Sequence, residues 1–186
     1  MNFLIISGSP KKDGLCKSVI NRIVSGAKDG GAKVTILHTY GMACCKICGD
    51  GWGICLNENR CILGDDEFNS AQKSVREADK ICIVTPVYWW DISESLKNLL
   101  DRLRRCEFGE KGAFAGKQVL LVASPGGTGN GMLEALTQMR YFCQHTHAVI
   151  FDFIGVNRWN CDYKREAAYA AARAMAEGRT AGDSTM

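Results

Sequence analysis

The chain has 186 residues, 46% of them hydrophobic and 23% charged, with a net charge of +3. This is the composition of one soluble globular domain with room for a sizeable core, not of a disordered, fibrous or nucleic-acid-wrapping chain. No Lys/Arg block alternates with aromatics and no apolar run is long enough for a signal peptide or a membrane span, so a cytoplasmic protein that binds neither nucleic acid nor membrane is expected.

In chain order, Phe3–Ile6 is a short apolar run, as expected of a strand covered on both faces. It enters a loop broken by Gly8, Pro10 and Gly14. From about Cys16 the period becomes helical, with Val19, Ile20, Ile23, Val24 and Ala27 on one face. Gly30-Gly31 marks a turn, and Val34–Leu37 reads as a strand at a sheet edge. Residues 41–64 form an irregular, cysteine-rich insert of a length that is usually functional. Asp65-Asp66 can cap a helix that buries Phe68, Ala71, Val75 and Ala78. Ile81–Val84 is a third strand, Thr85–Trp90 a loop, and Asp91 with Glu94 a capping box for a helix facing inward through Ile92, Leu96, Leu99, Leu100 and Leu103. Val119–Ala123 is a fourth strand, followed by the loop Ser124–Gly129. A helix carrying Met132, Leu133, Leu136, Met139 and Phe142 comes next. A fifth strand, Ala148–Ile154, and an alanine-rich helix from about Lys164 to Glu177 complete a single domain over residues 1–178, with 179–186 as a frayed tail. Lys111 and Lys117 flank a turn as solvated charges.

Apolar strands alternating with helices mean an α/β fold, a doubly wound parallel sheet covered on both faces. Ligands bind beyond the carboxyl ends of such strands. That rule gathers three loops on one rim. The first, Ser7 to Ser18, opens a helix and offers backbone N–H groups, the hydroxyls of Ser7, Ser9 and Ser18, and the charges of Lys11, Lys12 and Lys17 to a phosphate. An ordinary strand-to-helix connection would use the same small residues. The loop is neither a Walker A sequence nor a dinucleotide fingerprint, because its glycine spacing fits neither. The second loop holds Pro86, Val87, Tyr88, Trp89 and Trp90. Three adjacent aromatics cannot all be buried on one face, so at least one is expected on a flat ligand or a partner subunit. The third, with Ser124, Gly126 and Gly127, lets backbone approach a planar ring. Together the three loops describe a flavin mononucleotide (FMN) site.

Ten cysteines is a high count, and in a cytosolic chain it favours metal or redox use over disulfides. Cys44, Cys45, Cys48, Cys55 and Cys61 crowd into one segment of the insert. Four thiolates suit an iron–sulfur cluster or structural zinc, and a cluster-free reading also stands. Cys82 reads as core. Cys106, Cys143 and Cys161 show no ligand spacing to one another, and His145 and His147 read as packing or surface residues.

The arrangement Gly8-Ser9-Pro10…Gly14, then Thr85-Pro86-Val87-Tyr88-Trp89, then Ser93…Leu96-Lys97…Asp101-Arg102 resembles the NADPH-dependent FMN reductase group of flavodoxin-like proteins, over residues 2 to about 155. The resemblance implies a five-stranded parallel sheet of order 2-1-3-4-5, non-covalent FMN and a homodimer or homotetramer. Leu15 and Cys16 stand where that group commonly has Asn and a hydroxyl residue, so Ser18 or Ser9 would have to compensate. Within the group, Cys45-x2-Cys48-x6-Cys55-x5-Cys61 is similar to the [4Fe–4S] motif of the iron–sulfur flavoproteins, with a wider second gap. Gly49, Gly51 and Gly53 give that gap room to fold back, and Cys44 is either a spare or the first ligand. The implied activity is electron transfer between NAD(P)H or reduced ferredoxin and a small acceptor such as a quinone, an oxygen species or free flavin. An electron carrier or redox sensor, or a zinc-stabilised binding module, are the alternatives. The chemistry belongs to the cofactor, so no residue is named as catalytic.

Overall fold

The computed structural model describes residues 1–48, 53–63, 66–109, 111–127 and 129–180. Asp65, half of the expected cap, and the last six residues of the tail lie outside them, as do Gly49 and Gly51 of the cysteine segment. Five parallel strands form the sheet: β1 (Asn2–Ser7), β2 (Lys33–His38), β3 (Lys80–Tyr88), β5 (Gln118–Ser124) and β6 (Val149–Gly155). A two-residue strand, β4 (Asp91–Ile92), pairs antiparallel with the end of β3. The sheet order β2-β1-β3-β5-β6 is the expected 2-1-3-4-5 once β4 is set aside.

Side-chain alternation divides β1 between two cores. Phe3 and Ile5 pack with Val19, Ile20 and Ile23 of α1 (Leu15–Asp29) and with Ala168, Ala172 and Met175 of α6 (Cys161–Ala176). Leu4 and Ile6 face the other way, toward α3 (Phe68–Glu77), α4 (Glu94–Cys106) and α5 (Met132–His145). The central strands are buried on both faces, which is why they read as unbroken apolar runs. The outer strands β2 and β6 are less covered, and each leaves several residues exposed.

Several expectations need correction. Thr85–Trp90 is not a loop: β3 continues to Tyr88 and turns back through Trp89-Trp90 into β4. The cap of α4 is Ser93, whose hydroxyl accepts from Leu96 N at 3.3 Å, in place of Asp91. Asp91 turns its carboxylate onto Ile92 N at 2.7 Å instead. Leu133 is exposed. Lys117 is partly buried, and its ammonium donates to Val75 O at 2.8 Å and Arg76 O at 3.0 Å, satisfying the end of α3. The cysteine segment includes a one-turn helix, α2 (Cys55–Glu58). Asp66 does serve α3, accepting from Phe68 N at 3.1 Å.

Candidate functional site

The first rim loop begins where Ser7 is buried at the end of β1. Gly8 N donates to Val84 O at 2.8 Å, which keeps the chain in the sheet for one more residue. A Cβ on Gly8 would lie 2.9 Å from both Leu96 Cβ and Ser93 Oγ, so α4 packs directly on this backbone. Ser93 then joins two loops. Its hydroxyl donates to Gly8 O at 2.6 Å, and its N–H donates to Thr85 Oγ1 at 3.1 Å. Ser95 adds a link to Thr39, whose N–H donates to Ser7 O. The sequence singled out Ser93 only within the family motif and Ser95 not at all, because each acts through contacts far along the chain.

Helix α1 starts at Gly14 with no side-chain cap and no acidic residue in its first turn. Lys17 sits in that turn, where a cation opposes the helix dipole. Uncapped N–H groups beside a lysine are the signature of an anion site. Ser7, Ser9, Lys11, Lys12, Lys17, Ile20 and His38 line an adjacent cleft of about 280 Å³. Ser18 spends its hydroxyl hydrogen on Leu15 O at 2.9 Å, so it does not replace the missing hydroxyl at position 16. Ser9 accepts from Lys11 N at 3.3 Å and retains its own O–H to donate. Leu15 packs at the edge of the α1–α6 core.

Cys16 is buried, and burial pushes its thiol up against the smaller opposing pull of the Ser124 and Ser9 hydroxyls. It thus stands between the first and third loops. The Ser124 hydroxyl lies by the sulfur without a hydrogen bond of good geometry and is a buried, unsatisfied polar atom. Such an atom costs roughly 1–3 kcal/mol unless something completes it. Pro86 is in register with Ser124. Tyr88 is half-buried, and its phenol is raised by burial first, then by Cys16 and Glu94. Gly126 and Gly127 are exposed, and Arg158 holds Gly126 O with two N–H groups at 2.9 and 2.7 Å. Arg158 escaped the sequence reading because it lies beyond the fifth parallel strand.

Trp89 and Trp90 have φ of 49° and 64°, left-handed backbone at both central residues of the β3–β4 turn. Asn-Gly normally fills such a turn, and a bulky residue there costs roughly 1–2 kcal/mol. Trp89 is 90% exposed and Trp90 53%. The turn holds two large aromatics in the open at its own expense, beside Val87 and the first turn of α5. Of the three adjacent aromatics, only Tyr88 is substantially covered.

A second feature lies along α4. Cys45, Cys48, Cys55 and Cys61 line one small cavity with Ile62, Leu63, Arg102, Arg105 and Cys106. The structure brings together the four cysteines that the sequence grouped, and adds Cys106, which was set aside for lack of spacing. It arrives one helical turn after Arg102 on the same face of α4. Cys44 is exposed and does not line the cavity. A Cβ on Gly53, whose φ is +70°, would meet Cys48 Sγ at 3.1 Å and Cys55 Sγ at 3.2 Å, so only glycine leaves room between these sulfurs. Arg102, 1% exposed, donates to Cys61 Sγ at 3.2 Å and to Ala43 O at 3.3 Å. It forms a two-pronged ion pair with Asp66 and stacks 4.1 Å over the Phe68 ring. Burial raises the Cys55 thiol, and the neighbouring Cys48 adds to this. Cys106 is pushed up to about 12 by burial and by Cys55 and Cys61. The cavity encloses about 10 Å³, at the lower bound of what one water needs. Among the described residues no three ligand side chains are close enough together to grip one metal ion. An insert that follows the second strand would be expected to emerge on the same rim as the three loops, but the thiols lie by Arg102–Cys106, roughly 14–20 Å down α4 from Ser93 at 1.5 Å per residue.

The sequence family described as NADPH-dependent FMN reductase matches residues 1–157. An iron-sulfur flavoprotein of Methanosarcina thermophila is 32% identical over 150 residues, covering 78% of this chain and 73% of its own. Another, from Methanocaldococcus jannaschii, is 26% identical over 154 residues, 82% of this chain and 77% of its own. Among solved structures, the apo form of an NADH:FMN oxidoreductase superposes with a TM-score of 0.70 at 17% identity, covering 98% of this chain and 91% of that one. A flavodoxin from the domain Archaea gives 0.64 at 13% identity, covering 95% and 97%. The structural likenesses establish the flavodoxin-like fold.

Proposed function

The chain belongs to the NADPH-dependent FMN reductase family, and from that premise we propose an FMN-dependent oxidoreductase that passes electrons from NAD(P)H or reduced ferredoxin to a small acceptor by way of a [4Fe–4S] cluster. The observation that carries the flavin part is the convergence of three unsatisfied features on one rim. They are the uncapped start of α1 with Lys17 in its first turn, the orphaned Ser124 hydroxyl, and an aromatic turn held open at a cost in strain.

The residues fit the group. The N–H groups of Leu15, Cys16 and Lys17, with Ser7, Ser9 and Lys11 around them, would hold the phosphate, while Ser18 ties down the first turn through Leu15 O. Pro86, Val87, Tyr88, Trp89 and Trp90 would flank the ring on one side and Ser124, Gly126 and Gly127 on the other, with Ser124 donating to a polar ring edge. Bound FMN supplies the redox chemistry, taking up electrons in pairs and releasing them singly. The chain positions the ring, and Arg158 fixes the Gly126 carbonyl beside it. Cover of Trp89 and Trp90 by a second copy, in a homodimer or homotetramer, removes water from that face.

Cys45, Cys48, Cys55 and Cys61 would hold the cluster. Four thiols with a guanidinium donating to one sulfur are a soft, hydrogen-bonded donor set of the kind iron–sulfur clusters use. The thiols must swing outward to admit it. The relatives' printed names support this part of the reading.

Anaerobic purification followed by iron, sulfide and flavin analysis tests both parts separately. The expected result is bound FMN with iron and sulfide in equal amounts, and a Cys48→Ser variant that loses iron while retaining FMN. A colourless protein that takes up no FMN refutes the flavin site. Zinc in place of iron, or iron unchanged in Cys48→Ser, refutes the cluster or its ligand set.

A further inference from the structure

On the far side of the thiol cavity, α2, α4 and α5 enclose a cleft of about 240 Å³ lined by Leu56, Arg104, Arg105, Phe108 and His145. We propose that this cleft binds a small planar aromatic anion. Three observations carry the inference. First, among the described residues no carboxylate lines it, although two guanidinium groups and an imidazole do. Second, Arg104 is half-buried and has neither an ion pair nor a hydrogen bond to any described residue, and its Nε is buried without a partner. A basic residue near a helix C-terminus is favoured by the dipole, which accounts for the charge. It does not account for burying an unmatched N–H against apolar walls, which costs free energy until an acceptor arrives. Third, the walls are an exposed phenyl ring, Phe108, and the side chain of Leu56.

Size and chemistry then define the ligand class. Drug-sized ligands occupy roughly 300–1,000 Å³, so this cleft suits one or two fused rings. A guanidinium stacks on an aromatic face and pairs with a carboxylate or sulfonate. A neutral aromatic would leave Arg104 unmatched, and inorganic phosphate would leave Phe108 and Leu56 uncovered. Arg104 and His145 also line an adjoining cleft of about 160 Å³ containing Tyr141 and the Lys97–Asp101 ion pair, so an uncharged extension of the ring system has room there, whereas the anionic group belongs in the first cleft. Arg105 lines the first cleft and the thiol cavity alike, so a single side chain separates them. The inference concerns binding, and it stands independently of the redox reading.

The test is calorimetric titration of the full chain, with its flavin site saturated by added FMN, using redox-inert naphthalene-2-sulfonate as the probe. Saturable one-to-one binding is expected. Arg104→Gln, which keeps much of the volume and removes the charge, should weaken it by at least about tenfold with flavin content unchanged. The neutral analogue naphthalene-2-methanol should bind the unsubstituted protein at least about tenfold more weakly, a comparison that needs no variant to fold. No saturable binding at millimolar probe overturns the proposal. So does equal affinity of Arg104→Gln and the unsubstituted protein, or equal affinity for the charged and neutral probes.

Discussion

Replacing Asp66 by Asn separates the ion pair at the heart of α4 from the many exposed pairs on this surface. Arg102 is 1% exposed, and its partner Asp66 is 27% exposed. Removing the carboxylate leaves a guanidinium in the interior with Ala43 O, Cys61 Sγ and the Phe68 ring as its remaining company. Losing one partner of a buried pair costs roughly 3–5 kcal/mol. The surviving contacts argue for the lower end, about 3 kcal/mol. An exposed pair such as Lys73–Glu77 is worth at most about 1 kcal/mol. For a chain of this length each kcal/mol moves the midpoint by roughly 2–4 °C, so thermal unfolding should fall by about 6–12 °C. The hydrogen bonds from Arg102 hold the Asp66 carboxyl below its ordinary value. Its contribution is therefore complete above the unfolded aspartate value of about 3.9 and is lost as pH falls through the lower folded value. Asp66→Asn should flatten that limb of the acid-unfolding curve. Asp66→Asn combined with Arg102→Met should recover much of the loss, because no unpaired charge remains. A loss under about 1 kcal/mol in Asp66→Asn would refute the reasoning, since Arg102 would then be behaving as an exposed arginine.

Two further outcomes follow from backbone geometry. Gly53→Ala should cost roughly 1–2 kcal/mol in denaturant unfolding from its left-handed φ, and should lower iron per flavin by pressing Cys48 and Cys55 apart; full iron loading would show the sulfurs have other room. Trp89→Asn should stabilise the flavin-free protein by about 1 kcal/mol, because Asn tolerates φ of 49° and little packing is lost, while weakening FMN binding in a fluorescence titration; a destabilised variant would show that the turn is not strained.

The parallel sheet was legible because strands buried on both faces leave continuous apolar runs, and the rim followed from the order of strands and helices. The four cysteines were legible because they are neighbours in sequence. Contacts across long separations were not. Ser93 and Asp91 are both credible caps locally, and what decides between them is the carbonyl of Gly8, 85 residues earlier. The turn at Trp89-Trp90 was hidden because its residues violate the chemistry that announces such turns. Cys106 carries no ligand spacing, and only the winding of α4 brings it to the other thiols. Lys117 looked solvated beside its turn, yet it reaches the end of a helix some forty residues back.

Helix α4 enters the rim at Ser93, pinned to the backbone of the first strand's loop and to the hydroxyl of Thr85, and thirteen residues later it presents Cys106 to the thiols. A helix is stiff along its axis, so these two ends behave as the ends of a rod. A displacement of α4 at its Cys106 end would therefore reach Ser93, and through it two of the three rim loops at once. The spacing between the two sites is thus set by a helix rather than by loops, and it survives changes in loop sequence that would alter either site alone.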